Sequence, residues 1–102
     1  ARGDILPVDP MIFGADSITP VAGSEINIAG EGFGPEPGQV LVHVGGVELQ
    51  GEIEGWYDLG VHVKLPSLAL ASATDAQLIV IRGDTAASNP LTVQLTVPVA
   101  SR

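Results

Sequence analysis

An all-β fold, arranged as a two-sheet antiparallel sandwich, is predicted for this chain by three observations. Apolar and polar residues alternate from Ile26 to Ala29, Val61 to Leu65 and Leu91 to Val97, the period of two that a half-buried strand requires. Thirteen glycines and eight prolines among 102 residues cut the chain into short pieces rather than long helices. The pieces number about seven and recur roughly every 8 to 15 residues, with turn signals between them. A chain of this length supports one core, which buries roughly two thirds of the surface its unfolded form exposes.

Taken in order, residues 1–9 mix charge with Pro7 and read as a linker or N-terminal extension. The folded domain is expected over 10–98, with 99–102 as a tail. Met11 to Ala15 forms a first short strand. Ile26 and Ile28 alternate with Asn27 and Ala29 to give the second. Gly30 to Gly38, with Pro35 and Pro37, ends that strand in an extended turn whose anchor in the core is Phe33.

Val40, Val42 and Val44 share one face of the next strand, and Leu41 and His43 the other; Gly45-Gly46 then turns a hairpin into Val47 to Leu49. After Glu52 to Glu54 comes Trp56, expected between the sheets, which leaves its neighbour Tyr57 exposed. Val61, Val63 and Leu65 alternate with His62 and Lys64 until Pro66 stops the strand. Residues 67–75 are assigned to loop. Gln77 to Arg82 is nearly continuously apolar, as in a central strand covered on both faces. Gly83-Asp84 turns the chain into a last strand, where Leu91, Val93, Leu95 and Val97 alternate with Thr92, Gln94 and Thr96.

The formal charge is −8, with 12 acidic residues against Arg2, Lys64, Arg82 and Arg102. Such a surface repels a nucleic-acid backbone and an anionic membrane, so neither is an expected partner. The acidic residues are scattered in turns and at polar strand positions, the pattern of a solvated surface. No run of about 18 apolar residues is present to span a bilayer. Without cysteine there is no thiolate metal site, Cys nucleophile or disulfide, and the redox compartment is not readable. The chain opens at Ala1 without a signal-peptide pattern, which suggests a piece of something longer.

Residues that carry chemistry are sparse. His43 and His62 are good ligand types, but they sit on the polar sides of strands expected in different sheets, so no metal centre is predicted from them. Glu52 and Glu54 share a strand face, the pairing a glycosidase uses when a cleft raises one pKa. No cleft with sugar-stacking aromatics is foreseeable around them, and a solvated edge is the expected reading. Gly30 to Gly34 leads into prolines rather than a helix and cannot cradle phosphate; a Gly-x-Ser-x-Gly elbow is absent. Arg2-Gly3-Asp4 spells an integrin-recognition tripeptide but reads as incidental, and no loop has the Asp-x-Asp-x-Asp spacing that gathers calcium ligands. No catalytic residue and no cofactor are therefore predicted.

Strand parity nevertheless points Leu41 outward, beside one alternating pair from Leu78, Ile79, Val80 and Ile81. This would leave an apolar strip that either contacts another domain or is covered by 67–75. Leu41 and Tyr57 are the candidate protein-contact residues. A lone exposed tyrosine could also touch sugar, although sugar platforms usually carry several aromatics in a plane.

Six pieces follow one another in a fixed order: Ile18-Thr19-Pro20-Val21-Ala22-Gly23, Gly30-Glu31-Gly32-Phe33-Gly34, Gly45-Gly46, Trp56-Tyr57-Asp58, Leu65-Pro66 and Ser88-Asn89-Pro90. This succession resembles the IPT/TIG family of immunoglobulin-like domains and covers about residues 10 to 97. The resemblance implies an early-set immunoglobulin-like sandwich. Such domains serve as spacers and stalks of cell-surface receptors, as modules of bacterial surface proteins and carbohydrate-active enzymes, and as DNA-binding or dimerisation domains of transcription factors. The acidic charge argues against the last role, and the missing cysteines depart from many receptor versions. The expected function is a non-catalytic structural or protein-interaction module of a larger, extracellular or cell-surface bacterial protein, touching neighbouring domains of its own chain or another protein. An accessory carbohydrate-binding module attached to a glycan-active enzyme is the alternative.

Overall fold

The alternation and turn signals fold as two antiparallel sheets. The computed structural model describes residues 9–67 and 72–97, and among these no helix occurs. The strands are β1 (Met11–Ala15), β2 (Glu25–Glu31), β3 (Gln39–Val44), β4 (Val47–Gln50), β5 (Glu52–Tyr57), β6 (Gly60–Lys64), β7 (Thr74–Ile81) and β8 (Leu91–Leu95). The first sheet runs β1-β2-β6-β5 and the second β4-β3-β7-β8. These are the orders ABED and C′CFG of an immunoglobulin-like sandwich, and the one strand beyond seven is the C′-type β4, supplied by the Gly45-Gly46 hairpin. Both glycines have positive φ, 58° and 81°, as a two-residue turn matched to strand twist requires.

Between the sheets the two inner faces interdigitate. Ile26, Ile28, Val61 and Val63 from the first sheet meet Val40, Val42, Leu78, Val80, Val93 and Leu95 from the second, all buried. Most are β-branched, which suits a pleated, tightly packed surface. Phe33 is fully buried, as its anchoring role requires. Gly30 makes that possible: a Cβ there would lie 2.6 Å from the tip of the Phe33 ring and 2.0 Å from the carbonyl oxygen of Met11. The ring of residue 33 fills the place that a side chain at residue 30 would take.

Several expectations need correction. Residues 67–75 are not all loop, since Thr74 and Asp75 open β7, where they pair with Leu95 and Gln94; residues 68–71 lie outside the described ones. β7 is central in its sheet but is covered on one face rather than two. Ala76, Leu78 and Val80 are buried, Ile79 and Ile81 are half-buried on the outer face, and the strand ends before Arg82. Its continuous apolarity therefore reflects an apolar outer strip. Val97 falls beyond β8 and is exposed. Arg2-Gly3-Asp4 and most of the 1–9 and 99–102 segments lie outside the described residues.

The segment after β1 changes sheets. Ile18 and Pro20 accept backbone hydrogen bonds from Gln94 and Thr96, and the Ala22 amide donates to the Thr96 carbonyl. Val21 thus forms a parallel bridge with Thr96, so that the chain begins on one sheet and then runs alongside the last strand of the other.

Candidate functional site

At one end of the sandwich the loops carrying the sequence motifs close on one another. Trp56 stacks obliquely on Phe33, with ring centroids 6.1 Å apart and planes at 59°, and its Nε1 donates to the carbonyls of Phe33 (3.2 Å) and Gly34 (3.0 Å). Trp56 is half-buried, not enclosed between the sheets as expected, because it caps this end of the core rather than filling its centre. Asp58 receives the Phe33 amide on its backbone oxygen and the Gly34 amide, at 3.0 Å, on Oδ1. Arg82 donates to both carboxylate oxygens of Asp84 and, through Nη1, to the carbonyl of Gly32 at 2.9 Å. That pairing holds the Asp84 carboxyl below its ordinary range and the guanidinium above its own.

Ser88 and Asn89 join the two sheets. The buried Ser88 hydroxyl accepts from the Val80 amide at 2.9 Å and donates to the Asn89 carbonyl. The Asn89 side chain accepts from the Ile12 amide at 2.7 Å and donates to the Ile12 carbonyl at 3.1 Å, imitating a strand partner for β1. A cleft of about 230 Å³ remains between the 33–36 and 82–84 loops, with Phe33, Pro35 and Arg82 on its walls. The polar groups named at this end point into the frame.

The outer face of the first sheet is organised differently. In β5 the register against β6 slips between Ile53 and Gly55, a bulge that places Glu54 and Gly55 together opposite His62. Glu54 therefore reaches the His62 ring, its Oε1 3.6 Å from Nε2, while Glu25 from β2 approaches the same nitrogen at 3.0 Å. One ligand atom from each of these three residues lies within 4.8 Å of the other two, so they are the described residues that could jointly hold a metal ion. Hydrogen bonding to His62 draws the Glu25 carboxyl below its usual range. Loss of surrounding water, followed by the nearness of Glu25, lifts that of Glu54. Lys64 stands opposite both Glu25 and Glu52 in the neighbouring strands.

Tyr57 lies on the same face and is 65% exposed. Its ring leans back over Gly55, where a Cβ would come within 3.1 Å of it and 3.5 Å of the His62 Cβ. The tyrosine thus borders the His62 group rather than standing alone, a neighbourhood the sequence did not indicate. Leu41, the other predicted contact residue, is on the outer face of the second sheet, half-buried and directly paired with Ile79. The two are not brought together. Leu41, Ile79 and Ile81 form a small apolar strip beside Gln39 and Gln50. His43 and His62 lie in different sheets, and His43 pairs with Glu48 across the β3–β4 hairpin at 3.3 Å. Glu25 was missed because only the β2–β6 register, not local spacing, sets it diagonal to His62.

No family model matches this chain, and no curated protein matches it. Solved structures do. The gamma-CGTase from alkalophilic Bacillus clarkii aligns over 85% of this chain with a TM-score of 0.70 and 28% sequence identity, and the match takes up 12% of that enzyme's chain. An auxiliary nutrient binding protein from Bacteroides ovatus ATCC 8483 aligns over 94% of this chain and 22% of its own, with a TM-score of 0.58 and 16% identity, a likeness of fold alone. The chain spans a small fraction of each of these two proteins. With the strand orders above, these likenesses identify an immunoglobulin-like β-sandwich of the kind found as one segment of larger proteins.

Proposed function

We propose that this chain is an IPT/TIG-type module with a non-catalytic, structural or domain-contacting role in a larger cell-surface or secreted protein. One observation carries the reading: at the loop end, where an immunoglobulin-like module would be expected to present a binding site, the motif residues turn their polar atoms inward. Trp56, Asp58, Arg82, Ser88 and Asn89 hold loops and sheets together and leave a cleft in which the described residues form no constellation for acid–base or nucleophilic chemistry. The likeness to 12% of a gamma-CGTase chain supports a module that accompanies other domains. The strip of Leu41, Ile79 and Ile81 is the surface suited to a neighbouring domain.

The test is replacement within the full parent protein. Exchanging residues 10–98 for an unrelated immunoglobulin-like domain should preserve the parent's activity, whereas loss of activity with retained folding would overturn a purely structural role. A second reading is favoured by the exposed Tyr57 ring beside polar Glu54 and His62, and by the gamma-CGTase likeness: an accessory carbohydrate-binding module. It requires soluble glucans to shift the Tyr57 ring resonances in NMR and Tyr57→Ala to abolish retention on immobilised polysaccharide.

A further inference from the structure

Glu25, His62 and Glu54 come from three adjacent strands, β2, β6 and β5, and their polar ends converge over the centre of an exposed sheet face. The three groups crowd on one another, for the Glu25 and Glu54 carboxyls also share a hydrogen bond. A single ring nitrogen, Nε2 of His62, faces carboxylate oxygens of both Glu25 and Glu54, at 3.0 and 3.6 Å. One nitrogen carries at most one proton and can donate along one of these two directions. A cation seated between the groups would instead accept a lone pair from all three. Around a tetrahedral ion with bonds of about 2.1 Å, neighbouring ligand atoms stand about 3.4 Å apart, and the two separations from Nε2 bracket that spacing.

The electrostatics point the same way. Glu25 in β2 and Glu52 in β5 flank one lysine, Lys64, and Glu54 adds a further carboxyl at His62, so acidic groups are in excess around the ring. Tyr57, which covers Gly55 next to His62, contributes an uncharged flank. The bulge in β5 fixes Glu54 opposite His62, which makes its position a property of the backbone.

We propose that Glu25, His62 and Glu54 form a three-ligand site for a divalent transition-metal ion of the zinc class. One imidazole nitrogen with two carboxylates suits zinc, nickel or copper better than calcium or magnesium, which prefer all-oxygen shells. Three protein ligands leave a fourth position open to solvent, where water or a side chain of a docked domain completes the shell. This inference does not depend on the proposed function.

The experiment is titration of the 102-residue chain with zinc sulfate, followed by calorimetry and by the side-chain ¹⁵N resonances of its two histidines. One zinc per chain is expected, with His62 Nε2 shifting and His43 unmoved. His62→Ala and Glu54→Gln should each weaken binding by about tenfold or more, while His43→Ala should leave it unchanged and calcium or magnesium should not compete. All three substitutions are at the surface, and circular dichroism verifies that each variant folds. Absence of saturable uptake, uptake undiminished in folded His62→Ala, or uptake that follows His43 would each overturn the site.

Discussion

The loop end of the sandwich and the outer face of its first sheet use similar residues for opposite purposes. At the loop end, Trp56, Asp58 and Arg82 direct donors and acceptors at backbone groups of the 32–34 loop, and Ser88 and Asn89 at those of β7 and β1. On the outer face, Glu25, Glu54, His62 and Tyr57 direct theirs at one another and at water. The difference teaches that motif residues of the loop kind serve assembly, since removing such a group leaves a shielded partner unsatisfied. Substitutions on the outer face are expected to cost the fold little, which leaves it open to binding.

Substitutions can break or sharpen that contrast. The largest effect is expected for Phe33→Ala, which empties the fully buried site beside Gly30 and should cost about 3–5 kcal/mol in denaturant unfolding. A cost below about 1 kcal/mol would mean that the loop end is not part of the core. Next, Asn89→Ala removes both partners of Ile12 at once and should cost about 2 kcal/mol, with faster hydrogen exchange confined first to β1. On the opposite surface, Tyr57→Ala should change stability by less than about 0.5 kcal/mol; a larger loss would show that its ring over Gly55 is structural.

The smallest effect concerns acid. Asp84 has a depressed carboxyl pKa through its hydrogen bond with Arg82, so its contribution is present above the ordinary aspartate range and fades as pH falls through the folded-state value. The difference in urea midpoint between the native chain and Asp84→Asn should therefore shrink on acidification. A difference that grows would place the stabilisation elsewhere.

Strands whose pattern is local were legible from the residues alone. β1 was delimited by its flanking breakers, β2 and β6 by clean alternation, and the β3–β4 hairpin by Gly45-Gly46. The inward Trp56 and exposed Tyr57 were anticipated, but the means, the bulge in β5, and the contacts set by pairing escaped. Glu52, Glu54 and Trp56 are separated by even steps, so strict alternation would place the tryptophan outside with the glutamates. Only the bulge between Ile53 and Gly55 resets the parity, turning Trp56 inward and Tyr57 outward. Nothing in that stretch announces the extra residue. The same register dependence hid Glu25 from the His62 group, and the apolar outer residues Ile79 and Ile81 made a one-sided strand look two-sided.

The parallel run of Ile18 to Ala22 along the end of β8 has a mechanical consequence. Tension drawing the two flanks of the module apart would pull the Ile18 side and the Val97 side in opposite directions along that seam. The bonds from Gln94 and Thr96 to Ile18 and Pro20, and from Ala22 to Thr96, would then be loaded in shear and would have to fail together rather than one by one. Single-molecule pulling should find this seam to be the clamp, with Ala22→Pro, which deletes one of its donors, lowering the rupture force. Resistance to stretching would thus reside in three backbone bonds at the edge of one sheet rather than in the core.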